Sequence, residues 1–279
     1  MPIKSNKVIL TLAPTGNVPT RKTNPNVPLT PKEMAEQVYE CWKEGASVAH
    51  FHARDNDEKP TTDKAVYEEI MAEMDKYPDC DIIRQLSTGG RGGKTAAERA
   101  QMICLGEEMA SLATGSSNFP TSGNFNDPEL VSHLAGEMKK YGTKPEIEVF
   151  DTAMLWNAIR LVDSGEVAAP LHINLVMGMP GSQPATPDAM LYLYNNLPEN
   201  CTWGVSIIGK EHVPLSTMAL ALGGNVRVGV EDNLYYTKGV LATNLTLLKR
   251  MKEIALAMGK EIATPAEARE MLSLPPRKK

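Results

Sequence analysis

The sequence predicts a (β/α)8 TIM barrel, and three observations predict it. Eight short β-branched segments alternate with helical patterns along the 279 residues. Several of those segments are too apolar for one-sided strands, as buried parallel strands are. The length suits one barrel of about 250 residues with a short extra helix. An open doubly wound sheet is the alternative. No G-x-G-x-x-G turn follows the first segment, which disfavours a dinucleotide-binding version of it.

The units follow in order. VILTLAPTG (8–16) is the first strand, and a proline-rich loop over 14–31 leads from it. The helix over 30–45 opens on Thr30 as N-cap, with Pro31 at its first position and Glu33 in capping-box spacing; Gly45 stops it. SVAHFHAR (47–54) precedes a helix over 62–77, and DIIRQLSTGG (81–90) one over 95–105. MASLATG (109–115) precedes 127–142, and PEIEVFD (145–151) precedes 152–165. LHINLVMG (171–178) precedes 186–197, TWGVSIIG (202–209) precedes 214–224, and NVRVGVEDN (225–233) precedes 244–259. Asp127 and Thr186 stand before prolines and repeat the cap-then-proline device. Several strands end in Gly, Ser, Thr, Asp or Asn, as strand-to-loop junctions do. A short helix over 263–274 follows the eighth unit, and no linker-like stretch divides the chain, so residues 1–279 read as one domain.

Composition excludes several classes. Apolar content of 42% and charged content of 23% are ordinary for a globular chain. A net charge of −5 without a basic patch argues against nucleic-acid binding. Arg277, Lys278 and Lys279 read as a solvated tail. No apolar run approaches the roughly 20 residues that span a bilayer. The first residues, MPIKSNKVIL, carry no apolar h-region or small-residue cleavage site, and the expectation is a cytoplasmic protein. Cys41, Cys80, Cys104 and Cys201 are isolated and read as buried thiols, with Cys80 partly exposed in its polar PDCD stretch. The fifteen methionines read as core filler.

The chemistry gathers at strand ends. His50 and His52 in HFHAR are two apart and share one strand face, which places them near the barrel's C-terminal mouth. They are either hydrogen-bonded core histidines or ligands of a divalent metal, for which imidazole suits zinc. Glu231 and Asp232 close the eighth strand; alternation sends one carboxylate toward the axis and the other to the rim. Strands two and eight both flank strand one, so Glu231 meets the histidines and completes a His2Glu set with an open position. Arg227, four residues before Glu231, shares its face and serves either the chemistry or a salt bridge inside the barrel. Ser87 and Thr88 followed by Gly89 and Gly90 let the backbone approach a carboxylate or phosphate. Ser111 and Thr114 on strand four add hydroxyls, at least one of them for packing. His133 reads as solvated and His172 as structural, while His212 reads as a second-rank ligand or substrate contact.

The same residues carry a resemblance that runs essentially end to end. Thr15-Gly16 with the entry to the first helix, HFHAR (50–54), QLSTGG (85–90), ASLATGSSNF (110–119), EIEVFD (146–151), LVMGMPG (175–181), WGVSIIG (203–209) and GGNVRVGVEDNLYYTKG (223–239) resemble the β-keto acid cleavage enzyme family. The resemblance implies a (β/α)8 barrel, a divalent metal (usually zinc), and commonly a homotetramer. It implies that a β-keto acid and acetyl-CoA give acetoacetate and the CoA ester of the remaining acyl group. It assigns His50, His52 and Glu231 to the metal, Ser87 and Ser111 to the keto acid's carboxylate, and Arg227 with Asp232 to catalysis, with Gly90 and Asn17 also against the substrate. Asn17 stands where an amine-cleaving member of the family has glutamate. A neutral amide is no charge partner for an ammonium group, so the substrate's tail stays open, and Arg21 nearby suits an acidic one. Ser111 replaces a threonine and keeps the hydroxyl. The competing readings are a class II-type metal aldolase, a metal-dependent hydrolase and a non-catalytic binding barrel. Amidohydrolases carry H-x-H on strand one rather than two, and the crowding of ionisable groups at strand ends argues against a mere binding barrel. No P-loop marks where CoA lies.

Overall fold

The computed structural model describes residues 1–90, 94–120 and 122–274. Eight parallel strands form a closed barrel in sequence order. They are β1 (Leu10–Leu12), β2 (Val48–Phe51), β3 (Ile83–Leu86), β4 (Met109–Ala113), β5 (Lys144–Val149), β6 (His172–Met177), β7 (Thr202–Ile207) and β8 (Asn225–Val228), and β8 pairs back onto β1. Helices α1 (Pro31–Lys43), α2 (Lys64–Met74), α3 (Ala96–Ala100), α4 (Pro128–Tyr141), α5 (Thr152–Asp163), α6 (Pro187–Asn195), α7 (His212–Ala221) and α8 (Asn244–Ala257) follow the strands one by one, and α9 (Pro265–Leu272) comes last. The capping box at Thr30 and Glu33 is formed, and Asp127 and Thr186 cap α4 and α6 ahead of their prolines.

Two strands are shorter than the apolar patterns suggest. The first is interrupted at Ile9, whose N–H is taken by the Asn225 side chain at 2.8 Å. Lys7–Val8 lies outside the barrel and pairs with Glu261–Ile262. The eighth ends at Val228, because Gly229 turns the chain at φ 149°. A Cβ there would stand 1.9 Å from the Ala13 carbonyl oxygen, so only glycine fits. The third helical stretch is a short α3 followed by a 3-10 turn, Ile103–Leu105. Cys80 is buried rather than partly exposed, and Cys104 is exposed rather than buried. Arg277, Lys278 and Lys279 lie outside the described residues. No described helix is long and apolar enough to cross a membrane.

The barrel interior is divided by height. Ile9, Val48, Ile83 and Met109 form an apolar floor at the strands' N-terminal ends. Ala263, Ala268 and Leu272 pack on that floor and make α9 its plug. Arg269 ties the plug down, donating to both Glu108 oxygens at 2.6 and 2.9 Å. Above the floor the interior is polar. Glu146 meets His172 at 3.2 Å, His172 bonds Thr202 at 2.9 Å, and Asn174 donates to Ser206 at 2.9 Å. His172 is thus structural. Each of these buried groups has a partner, which is the condition for keeping polar atoms out of water. The apolar floor blocks water from below, and the charged groups face the mouth.

Leu272→Ala removes a side chain only 1% exposed from this plug. It is expected to cost about 2–4 kcal/mol, read as a lower urea midpoint. An unchanged midpoint would mean that α9 does not seal the barrel.

Candidate active site

Three side chains from two strand ends meet at the mouth. His50 is the third residue of β2, His52 follows its end, and Glu231 lies in the turn after β8. Their ligand atoms all lie within 4.8 Å of one another. Nε2 of His52 stands 3.4 Å, and Nε2 of His50 3.9 Å, from Glu231 Oε1. The Gln85 side-chain oxygen accepts from His50 Nδ1 at 2.7 Å, which sets the tautomer and leaves Nε2 its lone pair. Burial, followed by Arg227, lowers the His50 pKa to about 4, so the ring is neutral at pH 7. Among the described residues, His50 Nε2 and Glu231 Oε2 have no hydrogen-bond partner although both are buried. Orphaned lone pairs on an imidazole and a carboxylate, with a second imidazole beside them, fit a divalent cation.

The turn after β8 brings both carboxylates to one side. Simple alternation separates Glu231 from Asp232, but the strand has already ended at Val228. Arg227 therefore meets both: its Nε and Nη2 donate to the two Asp232 oxygens at 2.9 Å each, and Nη2 donates to Glu231 at 2.5 Å. Its Nη1 stands 3.5 Å from Glu148. The expected salt bridge and the expected site residue are one group. Burial pushes the Glu231 carboxyl up, but Arg227, His52 and His50 together hold it well below the usual range. Burial, aided by Glu231, raises Asp232 against the pull of Arg227. The turn itself is pinned. Val230 N–H donates to the Asn244 side chain at 2.9 Å, and Asn233 accepts from Gly209 N–H at 2.8 Å.

A cavity of about 380 Å³ opens above this cluster. Ser87 and Asn17 line it, with His52, Arg227, Glu231 and Asp232. Gly90 lines an adjoining cavity that shares Asn17. It packs on the stem of Arg99, where a Cβ would stand 2.8 Å from Cδ. Ser111 stands one layer back. Its Oγ accepts from Thr88 N–H at 3.2 Å and its carbonyl from the Thr88 hydroxyl at 2.7 Å, so it shapes the strand end that carries Ser87. Thr114 donates to the Met154 carbonyl and is structural. Arg21 does not line the cavity: it is held by Glu33 at 2.9 Å and Glu58 at 2.7 Å and fastens the first loop instead. His212 starts α7, buried and outside the cavity's lining, and His133 is exposed.

Several functional groups escaped the sequence reading. Glu148 lines the cavity, and burial pushes its carboxyl up to about 8 against the pull of Arg227. Its signal was EIEVFD, where strand alternation sends Glu146 and Glu148 inward together. Gln85 had no signal beyond its place beside His50 in the β2–β3 register. Arg54, the last residue of HFHAR, donates to the Gly16 carbonyl at 2.6 and 3.0 Å and to Pro19 at 2.9 Å. It holds the first loop over the site. Gly16 sits at φ 68°, and a Cβ on it would stand 2.5 Å from Glu231 Cγ. Gly16→Ala is therefore expected to displace Glu231 and to weaken the affinity of this group for a divalent ion about tenfold or more, measured by competition with a chelator. Unaltered affinity would remove Glu231 from the ion-binding group.

A match to the β-keto acid cleavage enzyme family covers residues 7–274. The 3-keto-5-aminohexanoate cleavage enzyme of Acetoanaerobium sticklandii is 40% identical over 270 residues, 96% of this chain and 98% of that protein. The 3-oxoadipate:acetyl-CoA acetyltransferase of Cupriavidus necator is 37% identical over 271 residues, 96% of this chain and 95% of that protein. Among solved structures, apo ObcA superposes with a TM-score of 0.77 at 22% identity, over 90% of this chain and 66% of that one, a likeness of fold. The match runs from the strand pair below the barrel to the plug helix and takes in every residue of the mouth cluster, and the chain belongs to the β-keto acid cleavage enzyme family.

Proposed function

We propose that this chain converts a β-keto acid and acetyl-CoA into acetoacetate and the CoA ester of the remaining acyl group. The observation that carries the reading is the forked Arg227–Asp232 pair beside His50, His52 and Glu231, in a chain whose family cleaves β-keto acids. The name of one relative, an acetyl-CoA acetyltransferase, supports the co-substrate. His50, His52 and Glu231 would hold a divalent ion, zinc by the preference of imidazole, which would supply Lewis-acid polarisation of a carbonyl.

The protein's own groups do the rest. Ser87 and the backbone behind it hold the carboxylate of the keto acid, with Ser111 fixing that backbone through Thr88 and with Gly90 and Asn17 beside it. Asp232, aimed by the Arg227 fork, removes a proton from C2, between the keto and carboxylate carbons. C2 attacks the thioester carbonyl of acetyl-CoA, a C–C bond forms, and the CoA thiolate leaves. The thiolate then adds to the original keto carbon, whose bond to C2 breaks, and C2 takes back a proton as acetoacetate departs. Both additions pass through tetrahedral oxyanions, and the Arg227 guanidinium stabilises that charge. A homotetramer completes the proposal, on the strength of the family alone.

Acetoacetate release is expected to require acetyl-CoA, and release without it would contradict the reading in favour of an aldol or hydrolytic reaction. His50→Ala is expected to leave a folded chain that retains less than one tenth of the wild-type metal content, about 10–100-fold weaker in affinity. Full metal content by elemental analysis would sink the ligand assignment. Arg227→Lys keeps the charge among the buried carboxylates but loses the fork. It is expected to keep its metal and lose about 10²-fold in kcat; wild-type turnover would remove Arg227 from the mechanism.

A further inference from the structure

We infer that the β-keto acid taken by this site carries an uncharged alkyl tail. The inference rests on the cleavage reaction proposed above and names its substrate class. Among the described residues, every ionisable group that lines the cavity sits at its chemical end: His52, Glu148, Arg227, Glu231 and Asp232. These groups face one another, and Arg227 is within 3.5 Å of all three carboxylates. The remaining described lining residues carry no charge. Phe119 and Phe150 meet edge to face at 5.4 Å, and Val176, Met179, Ile208 and Leu234 extend the apolar surface. The polar members of the wall, such as Asn17 and Asn124, are neutral amides.

Among the described residues, the other nearby cations lie outside the lining of the main cavity. Arg21 is held between Glu33 and Glu58. Arg54 spends its guanidinium on the carbonyls of Gly16, Pro19 and Glu58. Lys94 lines the adjoining cavity and donates to the Thr62 hydroxyl at 3.2 Å. A carboxylate or ammonium tail entering the main cavity would leave water without finding an opposite charge, which is costly, whereas an alkyl tail gains from burial on the same walls. The entry of CoA does not alter this. The pantetheine arm is itself uncharged, so whichever stretch of wall it covers, the described residues left for the tail offer no charge.

Three keto acids on one six-carbon chain test the inference: 3-oxohexanoate, 3-oxoadipate, and 5-amino-3-oxohexanoate. Each is assayed with the metal-loaded enzyme and saturating acetyl-CoA, and kcat/KM is taken from acetoacetate release. The alkyl acid is expected to exceed both charged acids by at least about tenfold. A charged acid that equals or exceeds 3-oxohexanoate overturns the inference while leaving the cleavage reaction intact; preference for 3-oxoadipate would point to a cation reading the tail. Absence of acetoacetate from all three, with metal bound, would instead overturn the reaction on which the inference rests.

Discussion

The buried guanidinium of Arg227 is the constraint around which the mouth of the barrel is built. A cation in the barrel wall is tolerated only with opposite charges in contact; Asp232 and Glu231 supply them at 2.9 and 2.5 Å, and the Glu148 carboxyl stands 3.5 Å away. Two of the three come from the turn after β8, so the position of that turn decides the site. Gly229 ends the strand where no other residue fits against Ala13, and Asn233 and Asn244 hold the turn beyond it. With Glu231 drawn between Arg227 and the two histidines, one oxygen is shared and the other is left without a partner. The candidate ion-binding group and the group that neutralises Arg227 thus share Glu231.

A second layer makes the cluster rigid. Gln85 orients His50, Arg54 pulls the first loop down by its carbonyls, and Gly16 lets that loop touch Glu231. Arg99 donates to the Thr88 carbonyl and Tyr67 to that of Ser87, so the strand end that carries Ser87 is held from behind. Below, the column of Glu146, His172, Asn174 and Ser206 is internally satisfied, and the α9 plug closes the floor. Side chains held in this way keep their geometry without rearrangement at the moment of reaction.

The barrel was legible because eight βα units repeat, and a periodic signal survives errors at any one boundary. The boundaries failed where a single contact overrides the apolar pattern, as Asn225 does at Ile9 and Gly229 does after Val228. The histidine pair and its meeting with Glu231 followed from strand parity and from β8 closing onto β1. Parity separates the Glu231 and Asp232 carboxylates, yet both meet Arg227, because the strand ends before either residue. Arg21 looked free because nothing in a linear sequence shows that Glu33 and Glu58 reach it. Gln85 and Arg54 act through long-range register and backbone carbonyls, which leave no motif. His212 and Cys80 depended on the packing around them, which the sequence does not display.

The central claim is that the acetyl group of acetyl-CoA becomes part of acetoacetate while CoA moves to the rest of the keto acid. The most direct measurement supplies acetyl-CoA with both acetyl carbons 13C-labelled, together with an unlabelled β-keto acid, and detects the products by NMR. The account predicts label at C3 and C4 of acetoacetate, none at C1 or C2, and an unlabelled acyl-CoA. Unlabelled acetoacetate, or label in the new acyl-CoA, would contradict it.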